Sequence, residues 1–147
     1  MFAKVLVAGW GDMDFNGHMR NTAYLDKSAD VRMMYFSENG FPMIEFVRRR
    51  LGPVVVKEEL EYFKEVGLLE QLRVTLSNAG LSDDGSRFRV RNEFFRSDET
   101  LATKVTSLGG WLDLSTRKFV APPEALLRAL QSLARTEDFE LLPSRIR

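Results

Sequence analysis

The feature that most constrains the fold is one long helix, predicted from Asn21 to about Glu38. Asn21 is a good N-cap residue, and Asn39-Gly40 followed by Pro42 is a typical helix stop. At about 100° per residue, the apolar side chains of this helix fill roughly half of its circumference. They are Val31, Tyr24, Tyr35, Leu25, Phe36, Ala29 and Met33. An apolar arc this wide favours a helix that a sheet surrounds over one that lies on a surface.

The rest of the chain has mainly the pattern of strands. A strand is predicted over Phe2–Ala8, and a glycine-containing loop over Gly9–Arg20 leads to the long helix. Two shorter helices are predicted over Met43–Arg50 and Glu124–Ala134, and the tail from Glu137 is expected to be peripheral. Four more strands are predicted in a block, over Val54–Phe63, from Leu72 to the turn at Ser82-Asp83-Asp84-Gly85, over Arg87–Phe95 and over Leu101–Leu114.

Successive strands with short connections form antiparallel sheets. The predicted fold class is therefore α+β, with a five-stranded antiparallel sheet wrapped around the long central helix. The 147 residues suit one domain, over 1–147. Gly109-Gly110, inside the last predicted strand, indicates a bulge or a close backbone approach.

Composition narrows the chemistry. The chain has 21 basic and 21 acidic residues, a balance that indicates neither a nucleic-acid nor a membrane partner. It has no cysteine, which excludes disulfides, thiolate metal sites and cysteine nucleophiles. Its single histidine, His18, leaves no second histidine for a common zinc site, so no metal is expected. The first residues lack a signal-peptide pattern and no segment is long enough to span a bilayer, so a cytoplasmic location is expected.

The most informative segment runs from Asp12 to Tyr24. It reads Asp-Met-Asp-Phe-Asn-Gly-His-Met-Arg-Asn-Thr-Ala-Tyr, which resembles the D-x-D-x-x-G-H-x-x-N-x-x-Y signature of the 4-hydroxybenzoyl-CoA thioesterase family of hotdog proteins. Glu59–Tyr62 and Trp111–Lys118 resemble later strands of that family, so the resemblance covers most of the chain. It implies a hotdog fold, hydrolysis of an acyl-CoA thioester without a separate cofactor, and a homodimer or homotetramer.

The second aspartate of the motif is catalytic in that family, and it corresponds to Asp14. The residue type agrees, because a carboxylate in a glycine-bearing loop can serve as a nucleophile or as a general base. Asp12 is expected to have a structural role, either bonding loop backbone or being merely solvated. The backbone N–H at Asn21, at the helix start, is expected to polarise the thioester carbonyl. Gly17 either lets backbone approach the thioester or allows a positive φ. His18 either acts as a general base, or bonds loop backbone or shapes the pocket.

The motif also carries two candidate substrate contacts. Arg20 stands where the family commonly has asparagine, and it either meets an acidic acyl group or is solvated. Tyr24 either lines the acyl pocket or fills the core. The CoA half of the substrate is polyanionic and needs basic residues, although alternate arginines on a strand are usually a solvated face. The candidates for this role are Arg87, Arg89, Arg91, Arg96, Arg117 and Lys118.

Two other functions compete with hydrolysis. Hotdog hydratases and dehydratases also act on acyl thioesters, but they pair a histidine with an acidic residue in a setting that His18 does not resemble. A non-catalytic acyl-CoA-binding module would have no need of a carboxylate such as Asp14. Another thioesterase clan carries a His-Gly-Gly motif, which is absent from this sequence. The sequence does not specify the acyl group.

Overall fold

The computed structural model describes residues 1–146, in which helices and strands follow nearly the predicted order. Three helices are present, α1 (Asn21–Glu38), α2 (Met43–Arg49) and α3 (Glu124–Ser132), and a 3₁₀ turn spans Trp10–Asp12. The strands are β1 (Ala3–Val7), β2 (Leu51–Tyr62), β3 (Gln71–Thr75), β4 (Ser77–Ser82), β5 (Arg87–Phe95), β6 (Leu101–Asp113), β7 (Lys118–Val120) and β8 (Arg135–Leu142). No helix in this part of the chain is long and apolar enough to cross a membrane.

All eight strands belong to one sheet, whose centre is the pair β5 and β6. β6 pairs with β2 and β7, while β5 pairs with β3 and β4, which follow each other along the same edge. β1 and β8 lie outside β3 and β4. Every pairing is antiparallel except that of β4 with β8. The α+β prediction with an antiparallel sheet around a helix is confirmed, but the predicted count of five strands is wrong.

The additional strands come from two places. The third predicted strand is divided into β3 and β4, and β7 and β8 join the sheet. The expectation of a peripheral tail is wrong, since β8 pairs in parallel with β4 and Phe139 packs against the core. Gly80 permits this pairing, because a Cβ at that position would lie 3.1 Å from the Leu142 side chain. β8 covers backbone groups of β4 that would otherwise form an open edge.

The helix α1 is the central helix that the apolar arc predicts. Its buried side chains include Val31, Tyr35 and Phe36. It ends as predicted at Asn39 and Gly40, where Gly40 has a φ of 91° and the Phe41 N–H donates to the Phe36 carbonyl at 2.9 Å. The N-cap prediction is wrong by one residue, since Arg20 has the extended cap conformation and Asn21 is the first helical residue.

An aromatic cluster joins α1 and α2 to the sheet. Trp111 of β6 is fully buried, and its ring centroid lies 5.1 Å from that of Phe88, 5.8 Å from Phe36 and 6.1 Å from Phe46. The indole N–H donates to the Gly85 carbonyl at 3.0 Å, so the polar atom of this large side chain is also satisfied.

Gly109 lies where β6 closely approaches the backbone of β2. A Cβ there would collide with the Val54 carbonyl oxygen of β2 and lie 2.8 Å from the Phe88 ring. The predicted close approach at Gly109 is confirmed, and a register shift lies on the facing strand between Val55 and Lys57. No larger residue fits without moving β2 or Phe88.

We expect Gly109→Ala to lower the free energy of unfolding by about 2 kcal/mol, because it overpacks a site bounded by backbone. Thermal unfolding of the variant and its parent measures this loss. Gly67→Ala is the matched control, since a Cβ at Gly67 meets nothing within 4 Å. Equal unfolding temperatures for the two variants would contradict the close contact at Gly109.

Candidate active site

The loop that carries the motif folds back on itself before α1 begins. Met13 and Met19 form an isolated antiparallel bridge. Within this bridge the Asp14 N–H donates to the His18 carbonyl at 2.9 Å, and the Gly17 N–H donates to the Asp14 carbonyl at 3.2 Å. Gly17 has a φ of 83°, and a Cβ there would meet no atom within 4 Å. The left-handed backbone conformation, and not lack of space, accounts for the glycine in this structure.

The Asp14 carboxylate is oriented by this loop. Its Oδ1 accepts hydrogen bonds from the Asn16 N–H at 2.8 Å and the His18 N–H at 3.3 Å. Its Oδ2 lies 3.4 Å from the Nδ1 of His18. The side chain is 27% exposed, so it is both held in place and accessible.

The His18 ring lies between two carboxylates. Its Nδ1 faces Asp14, and its Nε2 lies 3.9 Å from the Oε1 of Glu65. Glu65 follows β2 and its side chain is 81% exposed. His18 thus forms part of a wall shared by the loop and the chain after β2. This position is compatible with either role predicted for His18.

A cavity of about 560 Å³ opens beside Asp14, a size within the usual range of small-molecule sites. Five of the predicted site residues line it, namely Asp14, His18, Arg20, Asn21 and Tyr24. The remaining lining residues are Met19, Tyr62 at the end of β2, and Phe63, Lys64 and Glu65 after it. The four residues from 62 to 65 are not among the predicted site residues, because long-range strand pairing brings them to the cavity.

Tyr24 forms the aromatic wall of this cavity. It is 2% exposed, and its ring makes edge contacts with Tyr62 at 5.6 Å and Phe94 at 5.2 Å between centroids. Burial raises the pKa of the Tyr24 phenol, and the negative charge of Asp14 adds to that increase. The phenol therefore keeps its proton at neutral pH. Tyr24 both fills the core and lines the cavity.

The start of α1 faces the same cavity. The Thr22 N–H donates to the Asn21 Oδ1 at 2.9 Å, and the Ala23 N–H donates to the Arg20 carbonyl at 3.1 Å. The Asn21 N–H bonds to no residue between 1 and 146. A free donor at the positive end of a helix dipole is suited to an oxygen that gains negative charge.

Asp12 holds the loop to its surroundings. It accepts a hydrogen bond from the Gly9 N–H at 2.8 Å and pairs with Lys27 of α1 at 3.0 Å. Lys27 also donates to the Val7 carbonyl at 3.1 Å. Burial by itself would raise the pKa of Asp12, but the Gly9 hydrogen bond and the Lys27 charge outweigh burial and lower that pKa. Asp12 has the backbone contact predicted for it.

The other predicted substrate contacts are spread over the molecule. Arg20 lies at the cavity, and its guanidinium contacts Thr22 at 2.8 Å and the Gly11 carbonyl. Arg91 forms a two-bond pair with Asp138 of β8, at 2.9 and 3.0 Å. Arg89 pairs with Glu140 at 3.6 Å, and Arg96 pairs with Glu70 at 2.9 Å. The remaining candidates are Arg87 at the start of β5, Arg117 in the turn after β6 and Lys118 at the start of β7. None of the six basic residues predicted for the CoA half lines the cavity in the single chain.

Comparison with known proteins identifies the family. A family model described as the thioesterase-like superfamily matches residues 8–130. The chain belongs to the thioesterase-like superfamily. The narrower resemblance to the 4-hydroxybenzoyl-CoA thioesterase family stays a prediction, and no curated protein sequence matches the chain.

Several solved structures share this fold. A Staphylococcus aureus protein in complex with CoA, SAV2348, is 20% identical with a TM-score of 0.82, over 95% of this chain and 89% of that one. A 1,4-dihydroxy-2-naphthoyl-CoA thioesterase from Synechocystis is 16% identical with a TM-score of 0.79, over 90% and 96%. A DHNA-CoA thioesterase from Staphylococcus aureus is 18% identical with a TM-score of 0.80, over 88% and 87%. The predicted hotdog fold is confirmed.

We expect Asp12→Asn to lower stability at neutral pH, because the lowered pKa means that folding favours the charged form. That contribution is present above the ordinary carboxyl pKa of about 4 and is lost as pH falls through the lower pKa of the folded protein. Thermal unfolding from pH 7 to pH 2.5 should show the gap between variant and parent narrowing with acid. A gap that stays constant over this range would contradict an ionic role for Asp12.

Proposed function

We propose that this protein hydrolyses an acyl-CoA thioester to a free acid and CoA, with Asp14 as its catalytic carboxylate. The observation that carries the proposal is the meeting of Asp14 and the free Asn21 N–H at one cavity. Membership of the thioesterase-like superfamily supports this reaction class. The fold shared with a CoA complex and with two CoA thioesterases supports CoA as the thiol part of the substrate.

The geometry suggests how the residues divide the reaction. The thioester carbonyl oxygen accepts a hydrogen bond from the Asn21 N–H. A preorganised donor of this kind typically stabilises the transition state by about 3 kcal/mol. Asp14 then follows one of two routes. As a nucleophile it forms a mixed anhydride and releases the CoA thiolate, and water cleaves the anhydride. As a general base it takes a proton from water, which adds to the carbonyl before the thiolate leaves.

A hydratase is the second candidate, because one observation favours it. His18 and Asp14 form a histidine–carboxylate pair at 3.4 Å, the combination that the hydratase alternative requires. The products separate the two reactions. Hydrolysis releases one free thiol for each acyl-CoA consumed, whereas hydration of an enoyl-CoA releases none. A panel of saturated and unsaturated acyl-CoAs with a thiol reagent therefore identifies a thioesterase, and loss of the double bond of an enoyl-CoA separates a hydratase from a binding module.

The strand β2 gives a physical reason for assembly. It pairs with β6 on one side, and none of the other described strands pairs with its second side. A long unpaired edge of this kind is a template for another strand. Tyr62, which lines the cavity, is the last residue of this edge strand, and the lining residues 63–65 follow it directly. We therefore propose a homodimer or a homotetramer, in which a second copy covers β2 and completes one flank of the cavity.

We expect Asp14→Asn to reduce kcat roughly 10²–10⁴-fold, because the variant keeps the size of the side chain but loses its charge and nucleophilicity. Thiol release from acyl-CoA measures the loss, and thermal unfolding checks that the variant folds. Asp113→Asn is the matched control, since Asp113 bonds the Ser115 N–H at the far end of β6 and does not line the cavity. Near-normal turnover of the folded Asp14→Asn variant would remove Asp14 from the mechanism.

The assembly is tested by light scattering of the intact protein. We expect a mass at least twice the 16.9 kDa of one chain. Dilution below the dissociation constant should reduce activity if the second copy completes the cavity. A 16.9 kDa species that stays fully active at nanomolar concentration would contradict the proposed assembly.

A further inference from the structure

Arg32 is a charged residue buried in the middle of α1. Arg32 is only 6% exposed, and its Nη1 atom is buried without a hydrogen-bond partner among residues 1–146. Ser28, one turn earlier, is fully buried, and its hydroxyl also lacks a partner in this part of the chain. Leaving a buried guanidinium unpaired is strongly unfavourable. Two adjacent unpaired polar groups on one helix indicate a partner that the single chain does not supply.

Ser28 and Arg32 are not among the residues that line the cavity, but they lie beyond it on the side of α1 that carries Tyr24. Tyr24, Ser28 and Arg32 are four residues apart and therefore lie along one side of the helix. Tyr24 lines the cavity beside Asp14. Side chains on a helix lean towards its N-terminus, so we expect the Arg32 guanidinium to extend towards the turn that contains Ser28. The unpaired groups begin about one helical turn beyond the cavity.

The strands opposite α1 connect the same two places. Tyr62 pairs with Thr103 and Glu58 pairs with Ser107 between β2 and β6, so these residues share the inward face of the sheet. Tyr62 lines the cavity, and Glu58 accepts a hydrogen bond from the Ser107 hydroxyl at 3.1 Å. Glu58 acts on Arg32 through its charge alone, without a hydrogen bond. Burial lowers the pKa of Arg32, and the Glu58 charge opposes that change.

We infer that the acyl group of the substrate carries a carboxylate at its far end, and that this carboxylate binds Arg32 and Ser28. The inference rests on the proposed thioester hydrolysis and adds the class of acyl group. An acyl chain that is apolar throughout would leave both groups unpaired. A carboxylate matches the planar guanidinium with two parallel hydrogen bonds and also accepts the Ser28 hydroxyl. A doubly charged group such as phosphate fits less well, because Glu58 faces the same region.

The spacing sets the length of this acyl group. Asn21, whose N–H is proposed to hold the thioester oxygen, and Arg32 are about 16 Å apart along the helix axis. The arginine side chain spans back about one turn of 5.4 Å, and its hydrogen bond to the carboxylate adds about 3 Å. The remaining distance is about 8 Å, which a chain of roughly seven carbon atoms covers. The substrate class is therefore the CoA monothioester of a short dicarboxylic acid, such as adipyl-CoA or pimelyl-CoA.

Matched substrates test this inference directly. Adipyl-CoA and hexanoyl-CoA have the same number of acyl carbons and differ by the terminal carboxylate. We expect the parent protein to prefer adipyl-CoA in kcat/KM by about tenfold or more. Arg32→Met should remove most of this preference, with a loss of roughly 10- to 100-fold for adipyl-CoA and little change for hexanoyl-CoA. Arg32→Lys, which keeps the charge but not the planar fork, should recover part of the preference.

Arg128→Met is the matched control, because Arg128 is an exposed residue of α3 paired with Glu124. It should leave the preference unchanged. Glu58→Gln separates the two roles that Arg32 can have. If Arg32 binds the substrate, removing the Glu58 charge should keep or increase the preference for adipyl-CoA. If Arg32 serves only as a structural ion pair, Arg32→Met and Glu58→Gln should both lower the unfolding temperature and neither should change the substrate ratio, which would overturn the inference.

A binding measurement keeps this test independent of hydrolysis. Calorimetry with the non-hydrolysable thioether analogues of adipyl-CoA and hexanoyl-CoA should show the same preference and the same loss in Arg32→Met. Failure of the protein to cleave any acyl-CoA would overturn the proposed function, while the binding ratio would still report on Arg32. Equal binding of both analogues by the parent protein, or an unchanged ratio in Arg32→Met, would overturn the role of Arg32.

Discussion

Burial of α1 against the curved sheet is the constraint on which the rest of the structure depends. The helix contributes Val31, Tyr35 and Phe36 to the core, and Trp111 of the sheet contacts Phe36 directly. Once the sheet holds α1, the position and direction of its first turn are also fixed. The free N–H groups and the positive end of the helix dipole then lie at the motif loop. The same packing that stabilises the protein thus provides the electrostatic part of the candidate site.

Asp12 and Asp14 of the motif have different roles because their surroundings differ. Asp12 is tied to Lys27 and to the Gly9 backbone, and these contacts lower its pKa. Asp14 is held by backbone N–H groups, but it remains accessible beside the cavity and His18. The first carboxylate therefore positions the loop, and the second is available for chemistry. The hydrogen bonds of the loop backbone keep both carboxylates in fixed positions, so their different environments are maintained.

Two buried polar side chains of α1 lower the stability of the folded protein, because the core supplies no hydrogen-bond partners for them. Ser28 and Arg32 occupy helix positions where apolar residues would pack without unpaired groups. Replacement of buried charges by apolar residues is often neutral or stabilising. Unpaired polar side chains at buried positions are typical of functional sites, where ligand binding offsets the loss of folding stability. By contrast, Trp111, whose ring contacts Phe36 of the same helix, has its indole N–H satisfied by the Gly85 carbonyl.

The sequence by itself determined the local elements and the chemistry of the motif. Helical periodicity placed α1, its stop at Asn39-Gly40 followed from glycine chemistry, and alternation placed β5 with its arginines on one face. The motif from Asp12 to Tyr24 predicted residues that do meet at one cavity, because they are neighbours in the chain. Tertiary structure alone decided that β8 pairs with β4, that Arg91 is occupied by Asp138, and that residues after β2 complete the cavity. The physical reason is range: backbone geometry and periodicity act over a few residues, whereas strand pairing and burial join segments that no local pattern relates.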